Sequence, residues 1–223
     1  MQQRWLTFDC YGTLIDWLSG LRDVYRSSFP DAGDERALRV HRAVEPVIQE
    51  DGALTYREVL ARCHEAVAAV HGRGLLVDRH AVGDSVSSWP AFPEVPPALE
   101  RAREDGWHIA ILSNTDPDLL AASLDTIGVP VDVTVTSADT NTYKPATRHW
   151  EAFFEKSGAD RSHHVHVAAS MFHDIEPAAR LGLNTVWINR GGVDSATPRS
   201  AELKDMSGLI DTLDSLPGLR ANS

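Results

Sequence analysis

The run Trp5-Leu6-Thr7-Phe8 is short, apolar and partly β-branched; it stops at Asp9, a glycine follows at position 12, and no comparable run returns until after Trp89. This pattern reads as one strand, a tight loop, and a long departure from the sheet. Within the departure the period is helical: Val40, Val44, Val47 and Ile48 recur at i, i+4, i+7 and i+8, and Leu60, Cys63, Val67 and Val70 recur at three-to-four spacing. Trp89 to Pro97 carries four of the twelve prolines and reads as a non-helical connector. Beyond it, Ile109 to Leu112, Val131 to Val135, Val165 to Ala168 and Thr185 to Ile188 are short apolar runs separated by helical stretches, the signature of βα units in a parallel sheet. The expected fold is therefore α/β: a Rossmann-like parallel-sheet core built from residues 1–14 and 90–223, with an inserted all-helical cap over residues 15–89. After Gly191 the pattern is uninformative.

Composition excludes several functions. Lys+Arg is 21 against Asp+Glu 32, a formal charge of −11, which argues against nucleic acid and against an anionic membrane surface as partners. No apolar run is long enough to span a bilayer, and at 43% hydrophobic and 24% charged the chain has an ordinary globular make-up. Met1 to Trp5 lacks the pattern of a secretory leader, and Cys10 and Cys63 are too few for a disulfide framework, so a cytoplasmic location is expected.

In open α/β sheets ligands bind beyond the carboxyl ends of the strands. Four polar stretches fall there or in neighbouring loops: Asp9-Cys10-Tyr11-Gly12-Thr13, Ser113-Asn114-Thr115, Tyr143-Lys144-Pro145, and Ser170 to Asp174. A carboxylate held by loop amides beside an ammonium is a workable nucleophile. Asp9 offers such a carboxylate at a strand end, and Pro145 is expected at the first helical position, fixing Lys144. Backbone N–H groups around Tyr11 and Gly12 can face an anion, and Ser113 and Asn114 offer a hydroxyl and an amide for a substrate carboxylate or a leaving group. The three lysines stand at 144, 156 and 204, which leaves none in the cap for a Schiff base. His163, His164 and His166 alternate along a strand entry and read as core or solvent rather than metal ligands, and Trp17, Trp89 and Phe92, beside the expected hinges, read as core in preference to the lining of an apolar pocket.

Taken in order, Asp9-Cys10-Tyr11-Gly12-Thr13-Leu14, Leu112-Ser113-Asn114, Lys144-Pro145 and His173-Asp174 resemble the four motifs of the haloacid dehalogenase superfamily. The Asp-x-Tyr-Gly-Thr form of the first motif, and Trp187-Ile188-Asn189-Arg190, are similar to the type II 2-haloacid dehalogenase branch. The resemblance implies catalytic roles for Asp9, Thr13, Lys144 and Asp174, and substrate contacts near Tyr11, Ser113, Asn114, Trp150, Ser170 and His173. It also implies an arginine from the cap: Arg42 by position, with Arg39 close behind, although Arg42 lies almost opposite the Val40/Val44/Val47 stripe on a helical wheel. A homodimer is compatible with it.

The phosphatase branch places a second acid two residues after the nucleophile and another five before the last acid of the fourth motif; here those positions hold Tyr11 and Ala169. A hard Mg²⁺ site is weakened by those changes, so no cofactor and no metal ligands are expected. The expected activity is metal-independent attack by Asp9 on C2 of a small 2-substituted carboxylic acid, 2-haloacid dehalogenase-like. The chain departs from that branch in its fourth motif, where Ala169-Ser170-Met171-Phe172-His173-Asp174 replaces a Ser-Ser-Asn-x-Trp-Asp pattern, and at Trp150, where the branch has Tyr. His173 is expected to take over part of the missing function as base or donor. Three alternatives stay open: a Mg²⁺-dependent small-molecule phosphatase, a related C–N or ring-opening hydrolase, and a non-catalytic binding protein.

Overall fold

The computed structural model describes residues 3–30, 34–73, 78–217 and 219. Strand β1 (Arg4–Phe8) leads into four helices, α1 (Trp17–Ser28), α2 (Asp34–Gln49), α3 (Tyr56–Val70) and α4 (Ala81–Ser85). The chain then returns through α5 (Val95–Glu104) to β2 (Trp107–Ser113), followed by α6 (Pro117–Ile127), β3 (Val133–Thr136), α7 (Ser137–Thr140) and α8 (Arg148–Ser157). It ends with β4 (His164–Ala168), α9 (Glu176–Arg180), β5 (Asn184–Ile188), β6 (Ala201–Leu203) and α10 (Leu209–Ser215). The six strands form one parallel sheet in the order β3-β2-β1-β4-β5-β6.

Because β1 lies between β2 and β4, the chain runs outward from it in both directions, and the switch in strand order falls at its carboxyl end. Phe8 pairs with Ile111 on one side and Val167 on the other, so Asp9, Ser113 and Ala169 emerge at the same edge. Strand alternation sorts the side chains onto two faces. Leu6, Phe8, Ile109, Ile111, Val165 and Val167 enter the larger core, while Trp5, Ala110 and Leu112 enter a second one with Trp150 and Phe153. Each such fully buried large apolar side chain contributes roughly 1.5–3 kcal/mol relative to exposure.

The helical insertion joins the sheet where two segments cross: Asp16 N–H donates to Pro90 O at 2.8 Å and Phe92 N–H to Leu14 O at 3.0 Å. Trp89 is buried at this crossing against Gly20, where an added Cβ would stand 2.0 Å from its ring. Two local expectations are corrected. The connector is not wholly non-helical, since α5 starts at Val95 with Pro96 and Pro97 in its first turn, where a missing N–H costs no helical bond. On α2, Val40, Val44 and Ile48 of the stripe pack against the core and Val47 is 64% exposed, while Ala37, Leu38, His41 and Gln49 are buried, with His41 Nδ1 2.6 Å from Tyr25 Oη. Pro145 is not the first residue of a helix. It lies in a turn three residues before α8, because the Lys144 backbone is bonded to Asn114 rather than to a helix. The tail, featureless as sequence, supplies the edge strand β6 and α10.

Candidate functional site

The loop after β1 is a closed turn. Leu14 and Ile15 N–H both donate to Cys10 O, at 2.8 and 3.0 Å, and Gly12, at φ 92°, donates its N–H to Ile15 O at 2.8 Å. A side chain would be strained at that φ. The turn consumes the Gly12 N–H, which is therefore not available to an anion. It presents Asp9 with both oxygens held: Oδ2 accepts from Thr13 Oγ1 at 3.1 Å and Oδ1 from Lys144 Nζ at 2.9 Å. Thr13 Oγ1 in turn accepts from Ala169 N–H at 2.9 Å, which ties the loop after β1 to the loop after β4.

Lys144 is 1% exposed, and its ammonium has three acceptors: Asp9 Oδ1, Asp174 Oδ1 at 2.6 Å and Leu112 O at 2.7 Å. An ammonium has three N–H donors, so none remains for a substrate. Asn114 fixes the lysine's backbone, with Oδ1 accepting from Lys144 N–H at 2.6 Å and Nδ2 donating to Lys144 O at 3.0 Å. Its side chain is thus largely occupied in placing Lys144. Ser113 Oγ is different: buried, lining the cleft, and without a hydrogen-bond partner.

Asp174 sits on a π-type turn over Met171–Ile175, which Ser170 caps by accepting from His173 N–H at 3.1 Å. Asp174 Oδ1 also lies 3.1 Å from His166 Nε2, and a buried chain continues from His166 Nδ1 to Thr7 Oγ1 at 2.8 Å and on to His164 Nε2 at 2.8 Å. His164 and His166 are core residues, and His166 braces Asp174 from beneath. Asp174 Oδ2 is buried, unpartnered and beside the cleft.

The shared ammonium splits the two carboxylates. Burial raises Asp9 above its ordinary value against the pull of Lys144, with Asp174 adding to the rise. Burial works the same way on Asp174, but Lys144 and His166 outweigh it and hold that group well below the usual carboxylate range. Desolvation opposes the Lys144 charge, yet the two carboxylates keep its value above normal. His173 is lowered chiefly by burial and stays neutral; its Nδ1 lies 3.1 Å from Ser170 Oγ.

Above this floor opens a cleft of ≈ 570 Å³ between the sheet edge and the helical insertion. Arg42 lines it and Arg39 does not; the Arg42 guanidinium stands 5.7 Å from the Trp17 ring. Trp17 and Phe92, expected in the core, also line the cleft. The Tyr11 ring stacks on Tyr56 and meets Trp89 edge-on, with its hydroxyl 3.1 Å from Ser123 Oγ, so it forms wall rather than a directed contact. Trp150 is not brought to the cleft: it is fully buried in the second core, edge-on to His166, because the inward face of α8 packs against β2 and β3.

Sequence reasoning missed three residues here. His166 looked like an ordinary strand histidine. Arg190 lay in a noted stretch but had no assigned role; it donates to Thr13 O at 2.9 Å, pairs with Glu94 at 2.6 Å and lies 3.6 Å from the centre of the Phe92 ring, fastening the loop after β1. Glu45, on the inner face of α2, reaches the cleft and carried no local signal, since a glutamate on a helix usually faces solvent.

The family model for haloacid dehalogenase-like hydrolases matches residues 4–182, and the chain belongs to that family of hydrolases. Among characterised proteins it is 26% identical to (S)-2-haloacid dehalogenase 4A of Burkholderia cepacia, over 97% of this chain and 94% of that one. It is 30% identical to (S)-2-haloacid dehalogenase of Pseudomonas sp. (strain YL), over 84% of this chain and 83% of the relative. It also matches ribulose-1,5-bisphosphate 5-phosphatase of Halopiger xanaduensis at 30% over 64% of each chain. The fold matches that of a crystallised L-2-haloacid dehalogenase with a TM-score of 0.85 and 22% identity, covering 96% of this chain and 100% of that one. Among the described residues no helix is long and apolar enough to cross a membrane.

Proposed function

We propose that the protein hydrolyses a small 2-substituted carboxylic acid, 2-haloacid dehalogenase-like, by covalent catalysis through Asp9 without a metal ion. The observation that carries this reading is the buried Asp9 carboxylate at the floor of the cleft, held 2.9 Å from the Lys144 ammonium, with Tyr11 and Ala169 where a Mg²⁺ site would need further oxygen ligands. The donor set does not fit Mg²⁺: Tyr11 packs against Tyr56, Ala169 offers a methyl group, and among the described residues no three His, Cys, Asp or Glu side chains converge on a point. The phosphatase relative keeps the Mg²⁺-dependent alternative in view, and this donor set disfavours it.

In this reading the Asp9 carboxylate attacks C2 in line, the bond to the leaving group breaks with its electron pair, and C2 inverts as an ester forms. Ser113 Oγ and Arg42 hold the substrate carboxylate, and the helical insertion, residues 15–89, acts as a cap that excludes water while the core, residues 1–14 and 90–223, supplies the nucleophile. Water then attacks the ester carbonyl carbon, its O–H directed to Asp174 Oδ2 with neutral His173 beside it, and the 2-hydroxy acid leaves as Asp9 is restored.

A halide-release screen of 2-chloro and 2-bromo acids, with and without EDTA, tests the reaction beside an Asp9→Asn variant. Release should survive chelation and vanish in the variant, and one turnover in ¹⁸O-water should label Asp9. Phosphate release abolished by EDTA, or full turnover in Asp9→Asn, would overturn the reading.

A further inference from the structure

Glu45 lines the cleft, and displacement at C2 does not use it. Its side chain is 17% exposed and lines the same cleft as Asp9 and Arg42. Oε1 accepts from Tyr56 Oη at 2.9 Å and from Gln49 Nε2 at 3.4 Å. Oε2 has no hydrogen bond among the described residues; the nearest basic group is His41 Nε2 at 3.8 Å. Burial, together with His64 and Arg42, lowers His41 to about 3, so this imidazole is neutral and brings no charge to Glu45. No lysine or arginine among the described residues pairs with it, although Arg42 is three positions back on the same helix.

Charge decides what such a group can meet. On the floor, one ammonium faces two carboxylates, an excess of one negative charge. The Arg190 charge is taken by Glu94. A substrate carboxylate adds a second negative charge, for which Arg42 is the unpaired cation. An alkyl substituent laid against Glu45 would strip water from a carboxyl and return nothing, a cost that any hydrocarbon substrate would carry. A positive group on the substrate removes that cost and offsets the surplus.

We propose, building on the displacement at C2, that Glu45 is a specificity-determining acceptor and that the substrate is a small 2-substituted carboxylic acid carrying an ammonium group, with Arg42 and Ser113 holding the carboxylate and Glu45 Oε2 the ammonium. Burial raises Glu45 to about 7, which keeps it from adding a fixed anion to the empty cleft and lets a cation draw out the carboxylate. Tyr56 and Gln49 hold Oε1, so Oε2 is directed without movement of the backbone.

The test compares isosteres that differ only in –NH₃⁺ against –CH₃. Halide release from 3-amino-2-chloropropanoate should exceed that from 2-chlorobutanoate at least ten-fold in kcat/KM, and Glu45→Gln should collapse the ratio towards one. Calorimetric binding of 3-aminopropanoate and butanoate, which have no leaving group, reads the subsite without turnover and without any variant. Tighter binding of the amino acid with no halide released from either chloride removes the displacement reading and leaves the ammonium subsite standing. Equal or tighter binding of butanoate, binding of neither acid, or a preference that persists in Glu45→Gln overturns the proposal.

Discussion

Asp116 caps α3 from the foot of α6: its Oδ1 accepts the Tyr56 N–H and its Oδ2 the Arg57 N–H, both at 2.9 Å, from a position sixty residues later. A carboxylate on the first N–H groups of a helix is favourable for the dipole as well as the hydrogen bonds. Asp116 makes no side-chain cap bond to its own helix. This contact, with Tyr143 Oη donating to Leu54 O at 2.9 Å, ties the inserted helices to the sheet beside the cleft. Asp116→Ala should cost about 1–2 kcal/mol in denaturant unfolding. It should also raise KM about ten-fold, as a loosened cap would. Unchanged KM and midpoint would show that the bond holds nothing.

Removal of Lys144 leaves two buried carboxylates facing each other. Lys144→Met should lower stability at pH 7 by about 3–5 kcal/mol and abolish turnover. Without the ammonium both carboxyls would titrate above their unfolded values, so the penalty is present at neutral pH and fades as pH falls through those raised values. Urea midpoints at pH 7.5 and 5.0 check this: the gap to the parent protein should narrow at the lower pH, and a constant gap would contradict it.

Ser113→Ala separates binding from folding. The hydroxyl is buried without a partner, a state that costs of order 1–3 kcal/mol, so its loss should leave stability unchanged or slightly higher. Affinity for the carboxylic acid should drop by about ten-fold, since a hydrogen bond to a charged group contributes roughly 1.5–3 kcal/mol. Titration with the substrate acid and thermal melts of the same sample read both effects.

Acid should unfold this protein early. His41, His149 and His164 are each lowered to about 3, first by burial, and stay neutral in the fold. Their contribution is fully present above the unfolded histidine value near 6.5 and is lost as pH falls from there towards 3. Each loses up to about 1.4 kcal/mol per pH unit in that window. Glu45, raised to about 7 by burial, works in the opposite sense, since the fold gains stability as pH falls below that value, and it offsets about one of the three. Between pH 7.5 and 5.5 the unfolding free energy should fall by about 1–3 kcal/mol. Flat stability down to pH 5 would contradict the buried neutral histidines.

Much of the cleft floor was legible because its signals are local. Asp9 follows an apolar strand, Gly12 marks the turn, and Lys144 precedes a proline, so strand ends and loops could be found by pattern alone. Trp150 was misplaced because a motif offset names a position and not the direction of its side chain; the packing of α8 turned it into the core. On α2 the apolar period located Val40, Val44 and Ile48, which pack against the core, but not the inward His41, Glu45 and Gln49, each with a polar neighbour that becomes adjacent only on folding.

The sequence by itself determined the alternation of strands and helices, the long helical interruption after β1 and the residues at the strand ends, because hydrophobic period and turn chemistry act within a few residues. Only the tertiary structure decided that Lys144 lies between Asp9 and Asp174, that His166 supports Asp174, that Arg42 rather than Arg39 lines the cleft, and that a glutamate joins it there. Those relations depend on packing and charge between groups far apart along the chain, 135 residues in the case of Lys144 and Asp9, and no short-range pattern carries them.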